Sequence, residues 1–231
     1  MAASRINLFS VEIPKEYAPT QISDMLIAQN DDISRFVIDD CDATNLDGYY
    51  ISKVKKNETI FNYVSGQFES TIIERSVCLK FNIDALFGRM ICIGNLSIVN
   101  QMLTSLSVSL HNRIVIEAYP IDLSRFIADA AFVKNIKMKK AKIDEMVLGN
   151  GILANCSIEF ARYDDAMELL LQHKDNVSQV SFSMPVSDEY DIEELSCTLY
   201  KTGSLIVRTN ITSFSDPLKS VIYRLYLDGR K

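Results

Sequence analysis

The sequence has few of the residues that build flexible linkers or histidine-based catalytic sites. Only 8 of its 231 residues are glycine and 5 are proline, so we expect compact structure along nearly the whole chain. Its two histidines, His111 and His173, lie near no recognisable nucleophile motif, and structural roles are favoured for both. Neither a G-x-x-x-x-G-K loop nor a G-x-G-x-x-G loop occurs, so no phosphate-binding loop is expected.

Cysteine is also sparse. The five cysteines are widely spaced, and no two of them form a C-x-x-C pair. This pattern predicts reduced core residues and excludes both a disulfide framework and the paired spacing of a zinc site. We therefore expect no bound metal and no cofactor. The residues concerned are Cys41, Cys78, Cys92, Cys156 and Cys197.

Long apolar runs and strong positive charge are absent as well. No run approaches the ~20 apolar residues that cross a bilayer, and the residues after Met1 lack the pattern of a secretion signal. These features predict a cytoplasmic protein that does not enter a membrane. The net charge of −6 opposes a broad affinity for nucleic acid or anionic lipid, so any such binding must be local.

The clearest regularity is a glycine followed by a β-like run and then an amphipathic helix. It occurs after Gly88, Gly151 and Gly203. After Gly203, for example, a β-like run is followed by apolar residues at i, i+3, i+4 and i+7 from Leu218, which is the spacing of one helix face. Each glycine is expected to supply the positive φ of a tight turn.

Several further segments complete the predicted fold. Short helices are predicted at 22–29 and 123–133, and most of the remaining segments alternate apolar and polar residues as strands do. The fold class expected is α+β, with mostly antiparallel sheet covered on one face by amphipathic helices. We expect two similar halves, 1–112 and 113–231, or one continuous domain. This order of elements is similar to that of duplicated saddle-like sheets such as the TATA-box-binding protein, but no diagnostic residues assign a family.

Two acidic segments are candidates for metal chemistry. In the segment 39–48, an EF-hand register would place Ala43 and Val54 at ligand positions, so a solvated turn is favoured over a calcium site. The segment 187–194 contains Asp188, Asp191 and Glu193. With a nearby lysine these acids would suit a metal-dependent phosphodiesterase, although a charged surface loop explains them better.

A lysine-rich segment is the most distinctive candidate for binding. Five lysines fall within nine positions of an acidic chain, namely Lys134, Lys137, Lys139, Lys140 and Lys142. As a regular strand the segment would place Lys137 and Lys139 on one face and Lys140 and Lys142 on the other. An edge strand protected by charge is the favoured interpretation. Phosphate contact, together with Lys53, Lys55 and Lys56, is the alternative.

These observations lead to three functional hypotheses. The first is a non-catalytic interaction or regulatory module in a larger assembly, with a protein partner or a second copy of the chain. The second is a nucleic-acid-binding protein that uses the lysine strand on a saddle-like sheet. The third is the metal-dependent phosphodiesterase. Because no catalytic motif is present, the sequence favours the first hypothesis over an enzyme.

Overall fold

The computed structural model describes residues 4–14, 16–119, 121–132, 136–148, 151–161, 163–187 and 192–208. The α-helices in this part of the chain are Pro19–Ala28 (α1), Leu96–Ser109 (α2), Leu123–Phe132 (α3) and Tyr163–Gln172 (α4). The strands are Ser4–Glu12 (β1), Ser34–Cys41 (β2), Asn45–Asn62 (β3), Gln67–Asp84 (β4), Arg89–Ile93 (β5), Val115–Ala118 (β6), Lys137–Leu148 (β7), Ile152–Glu159 (β8), Val177–Ser187 (β9), Ile192–Tyr200 (β10) and Ser204–Val207 (β11).

The fold is mainly antiparallel sheet. Strands account for 56% of the described residues and helices for 22%, so the predicted antiparallel sheet is confirmed while helix contributes less than an α+β fold implies. Much of the difference comes from β3 and β4, each 18 residues long. The sequence predicted two short strands within β3, because the polar residues 55–59 interrupt its apolar alternation. They remain in strand conformation because each of them pairs with a residue of β4.

The described strands form one hydrogen-bonded sheet with the order β2-β3-β4-β5-β1-β11-β10-β9-β7-β8, and β6 pairs with β1. The chain divides into two compact units, one formed by residues 9–117 and the other by residues 1–8 and 118–231. The division into two similar halves at residue 112 stays a prediction. The order of elements differs between the units, since α4 separates β8 from β9 whereas β2 to β5 follow one another without a helix.

The unit of residues 9–117 has a core between its strands and its two helices. Residues 46, 48, 50 and 52 of β3 are buried in alternation, as expected for a strand with one face against a core. The helices begin at recognisable signals: Asn95 accepts a 3.0 Å hydrogen bond from the Ser97 amide at the start of α2, and Pro19 occupies the first turn of α1. The core comprises Ile22 and Leu26 of α1, Val99, Met102 and Leu106 of α2, and strand residues such as Leu46, Tyr50, Leu79, Phe81 and Ile83.

The other unit buries apolar residues from five strands and from the helices α3 and α4. The ring of Phe126 lies 5.0 Å from the ring of Phe182, which places α3 against the same face of β9 that carries Val180. Residues of this unit with at most 1% exposure are Ile6, Leu8, Ile127, Ala141, Ile143, Leu170, Val177, Val180, Phe182, Cys197, Leu199, Leu205 and Val207. The helix predicted from Leu218 lies outside the described residues.

The glycine prediction is confirmed at the three positions. Gly88, Gly151 and Gly203 have φ values of 62°, 75° and 85°, in the left-handed region that residues with a Cβ adopt reluctantly. Each is followed by a strand, and the helices expected after Gly88 and Gly151 are present as α2 and α4. None of the described helices is both long enough and apolar enough to span a membrane.

Candidate functional site

The lysine segment lies inside the sheet. Strand β7 pairs with β8 on one side and with β9 on the other, so the predicted edge strand is wrong. Both neighbours are antiparallel, and the buried residues Met138, Ala141 and Ile143 face the core. Lysines in this strand therefore do not protect a free edge. Lys134 lies outside the described residues.

A β-bulge changes the faces on which the lysines stand. Lys137 lies opposite Ser183, but the register shifts between Met138 and Lys140, so that Lys140 lies opposite Ser181. Because Ser181 and Ser183 share one face of β9, Lys137 and Lys140 share it too. Lys142 lies opposite Gln179 and is therefore on the same face as Lys137 and Lys140. The predicted two-sided distribution is wrong, since a regular alternation holds only where no bulge intervenes.

The lysines stand over a floor of small hydroxyl side chains, which we call the polar face. Ser183 is fully buried and Ser181 nearly so, and the Ser181 and Thr198 hydroxyls lie 2.9 Å apart. The Lys139 ammonium donates to Ser196 Oγ at 3.3 Å, so the bulged lysine reaches this face as well. Buried hydroxyls are stable here because each has a hydrogen-bond partner.

Acidic side chains neutralise most of the lysine charge. Lys139 Nζ lies 3.7 Å from Glu194, Lys140 Nζ lies 3.1 Å from Glu159, and Lys142 Nζ lies 3.4 Å from Asp144. The hydrogen bond from the Ser183 hydroxyl, followed by the charges of Lys139 and Lys137, lowers the pKa of Glu194. A phosphate would have to compete with these carboxylates, which weakens the case for a nucleic-acid surface.

The acidic segments provide no assembled metal site in the described part of the chain. Asp42 Oδ1 accepts hydrogen bonds from the amides of Thr44 at 2.6 Å and Asn45 at 2.7 Å, which lower the pKa of the Asp42 carboxyl. This is the predicted solvated turn. Asp188 and Asp191 lie outside the described residues. Among those that are described, no group of three or more histidine, cysteine or acidic residues is placed to hold a metal ion.

The prediction that the cysteines are core residues is correct for two of the five. All five cysteines are free, but only Cys92 and Cys197 are buried, and Cys78 is exposed. Burial raises the pKa of the Cys197 thiol to about 12. His111 has a positive φ of 55° just after α2, and His173 follows the last residue of α4.

The second candidate site is a projecting hairpin that we call the arm, residues Val54–Arg75. The pairing of β2 with β3 extends only to Ser52, and β5 pairs with β4 only at residues 80–84. Beyond these points β3 and β4 pair with each other alone within the described chain, up to Asn62 opposite Gln67. Nine residues per strand correspond to a reach of roughly 30 Å.

Side-chain hydrogen bonds organise the turn at the end of the arm. Asn62 Oδ1 accepts from the amides of Val64 at 2.8 Å and Ser65 at 3.3 Å. Asn62 Nδ2 and Ser65 Oγ both donate to Glu69 Oε1, at 2.9 and 2.8 Å, and these bonds lower the pKa of Glu69. Gly66 supplies the positive φ of 67° that closes the turn. The turn therefore has a defined conformation rather than that of a loose loop.

Large apolar side chains cover the tip of this arm. Tyr63 is 91% exposed, Val64 98% and Phe68 74%. The Phe61 ring contacts those of Tyr63 and Phe68, each with 5.2 Å between ring centroids. We call Phe61, Tyr63, Val64 and Phe68 the tip. Three basic and three acidic side chains balance along the arm, so its end is apolar and its shaft is neutral overall.

Sequence reasoning identified strands in this region but missed the arm. The available signal is the segment 61–68, where two large apolar residues occupy turn positions that polar residues normally fill. Such residues in a solvated turn indicate a contact surface rather than a packing position.

Comparison with known proteins assigns no relative. No protein-family model matches the chain, and a search of curated proteins finds no match.

Proposed function

We propose that the chain is a non-catalytic interaction module that docks on a protein partner in a larger assembly, with the tip of the arm as its contact surface. The observation that supports this proposal is the exposure of Tyr63, Val64 and Phe68 at the end of a hydrogen-bonded turn. Monomeric soluble proteins rarely expose a contiguous group of large apolar side chains without a functional reason. The proposal also takes the helices to lie on one face of the sheet, which leaves the other face open.

The chemistry of the tip indicates the kind of partner. Its aromatic side chains suit an apolar pocket, where tyrosine and phenylalanine contribute large contact areas at a low entropic cost. The turn is already ordered by Asn62 and Ser65, so little conformational freedom is lost on docking. A shaft without net charge does not favour a polyanionic ligand.

Affinity purification of the native protein, followed by mass spectrometry, tests this function. The comparison uses the wild type, a tip variant with Tyr63→Ser, Val64→Ser and Phe68→Ser, and a shaft variant with Thr59→Ala as a matched control. We expect a stoichiometric partner that co-purifies with the wild type and the control but not with the tip variant. The same partners at the same yield with all three proteins would contradict the proposal, as would robust turnover of a substrate that depends on one buried polar residue.

A second candidate, nucleic-acid binding through the polar face, is favoured by one observation. The bulge in β7 gathers Lys137, Lys139, Lys140 and Lys142 on a single face, whereas a regular strand would separate them. Together these ammonium groups would contact phosphates and position a strand without reading its sequence.

Salt dependence and charge reversal test the second candidate. Binding of single-stranded or duplex DNA should weaken steeply with salt and should be lost when the four lysines become glutamate. A variant with Arg35, Lys174, Lys201 and Arg208 changed to glutamate has the same net charge and is the control. No binding by the wild type at low salt, or equal loss in both variants, would contradict this candidate.

A further inference from the structure

Among the described residues, no strand pairs with the outer edge of β4 over most of its length. In the described chain β5 pairs only with residues 80–84, so the edge from Gln67 to Leu79 presents unpaired backbone groups. Such an edge is a template for another strand unless charge or a bulge protects it.

The two edges of the arm differ in how well they are protected. On β3 the exposed edge carries Lys55, Lys56 and Glu58 close together. On β4 the central run Ser70-Thr71-Ile72-Ile73 has no charge, and Ile72 is 66% exposed. Lysines on an edge disfavour pairing, whereas β-branched residues favour it. An added strand is therefore expected on β4 and not on β3.

The arm carries excess positive charge near Arg75 and a negative charge without a described cationic partner at Glu69. Glu58 is shared by two cations, with Lys56 Nζ at 3.4 Å and Arg75 Nη2 at 3.2 Å. Glu69 receives hydrogen bonds only from neutral groups, Asn62 and Ser65, and no described cation lies within ion-pairing distance of it. One end of the arm thus has an excess positive charge near Arg75, and the other has a negative charge at Glu69.

These charges lie symmetrically about Ile72. Glu69 precedes it by three residues and Arg75 follows it by three. When two β4 strands pair antiparallel with Ile72 opposite Ile72, each Glu69 lies opposite the Arg75 of the other chain, and a two-fold axis generates the contact twice. We propose that the occupant of this edge is a second copy of the chain, joined through β4 in this register.

This inference names a partner for the arm and rests on the proposed function only in taking the arm as an interaction element. The paired segment is centred on Ile72, five residues after Gln67 at the start of β4, so Phe68 is the one residue of the tip that falls within it. If the chain does not self-associate but still binds its partner through the tip, only the inference of a dimer is wrong. If the chain self-associates but the tip variant binds the same partners as the wild type, only the proposed function is wrong.

Charge reversal in the full-length chain tests the register. Glu69→Arg places two arginines opposite each other at both contacts, and Arg75→Glu places two glutamates there. Each variant alone is expected to associate ~10-fold more weakly than the wild type, because like charges oppose. An equimolar mixture of the two is expected to form a heterodimer near wild-type strength, since every contact is then Arg opposite Glu. Sedimentation equilibrium measures all four samples, and circular dichroism confirms that each is folded.

Thiol crosslinking provides a second readout in a Cys78→Ser background. Ile72→Cys is expected to give a crosslinked dimer with a short thiol-reactive reagent. Phe68→Cys and Ser76→Cys are each expected to stay uncrosslinked alone but to crosslink when mixed, because residue 68 lies opposite residue 76 in this register. A monomeric wild type, single charge variants that associate as the wild type does, or a mixture no stronger than its components would overturn the inference.

Discussion

The rings of Phe61 and Phe68 face each other across the two strands of the arm, with 5.2 Å between centroids and 64° between planes. Directly opposite aromatic residues stabilise an antiparallel pair by roughly 0.2–1 kcal/mol. This contact lies next to the turn, where it supports Tyr63 and Val64 in a fixed orientation. The tip is therefore an ordered apolar surface at the end of a ribbon with no described neighbour.

Replacing Phe68 by serine should weaken partner binding while leaving the fold stable. Because the side chain is largely exposed, its loss should lower the free energy of unfolding by about 1 kcal/mol or less, which is the range of its cross-strand contact with Phe61. Affinity for the partner should fall ~10-fold or more if the ring enters a pocket. Thermal melting and isothermal titration on the same preparation separate the two effects. A large loss of stability would show that Phe68 has a packing role instead.

Replacing a buried phenylalanine of the core should, in contrast, lower the stability of the fold strongly. Phe81 of β4 is 1% exposed and belongs to the core to which β3 and both helices of its unit contribute, with its ring 5.9 Å from that of Phe36. Phe81→Ala should lower the free energy of unfolding by about 3–5 kcal/mol through lost burial and a cavity. Urea denaturation followed by circular dichroism measures this change. A loss comparable to that of an exposed arm residue would contradict the assignment of Phe81 to the core.

Two glycines in turns allow the cost of adding a Cβ to be compared with and without a close backbone contact. Both Gly203 and Gly151 have positive φ, but a Cβ at Gly203 would lie 2.3 Å from the carbonyl oxygen of Tyr119, whereas at Gly151 it would meet nothing within 4 Å. Gly151→Ala should therefore cost only the left-handed conformation, about 1–2 kcal/mol, and Gly203→Ala should cost clearly more. Equal melting temperatures for the two variants would show that the close approach at Gly203 has no energetic consequence.

The sequence predicted local structure well where one residue type determines it. Positive φ at Gly88, Gly151 and Gly203 followed from glycine alone, and the Asx turn at Asp42 followed from the clustering of short polar residues. These features depend on neighbouring residues in the sequence and can be predicted without knowledge of tertiary contacts.

Features that depend on strand pairing could not be predicted in the same way. The alternation rule assigned Lys137 and Lys140 to opposite faces because nothing in the residue types marks a bulge between Met138 and Lys140. The interior position of β7 depends on the pairing of β8 and β9, which is non-local. The arm was missed because strand patterns indicate where strands occur, but not how far a pair extends beyond its neighbours.

The contribution of the Glu194 carboxylate, which accepts a hydrogen bond from Ser183, to the stability of the fold should decrease at acidic pH. The pKa of Glu194 is lowered in the folded protein, so this carboxylate contributes stability above its unfolded pKa of about 4.3 and loses that contribution as pH falls through the folded value. The difference in melting temperature between the wild type and Glu194→Gln should therefore be largest near neutral pH and shrink below about pH 4.3. A difference that stays constant from neutral to acidic pH would contradict the role of the charged carboxylate.

Solvent accessibility of the tip in the native assembly tests most directly whether the arm is the contact surface. Hydroxyl-radical footprinting compares labelling of Tyr63 and Phe68 in the isolated chain with labelling in the purified assembly, and Phe87 of the same unit, which is 49% exposed, serves as an internal reference. We expect labelling of Tyr63 and Phe68 to fall several-fold in the assembly while labelling of Phe87 changes little. Equal labelling of the tip in both samples would contradict docking through the arm.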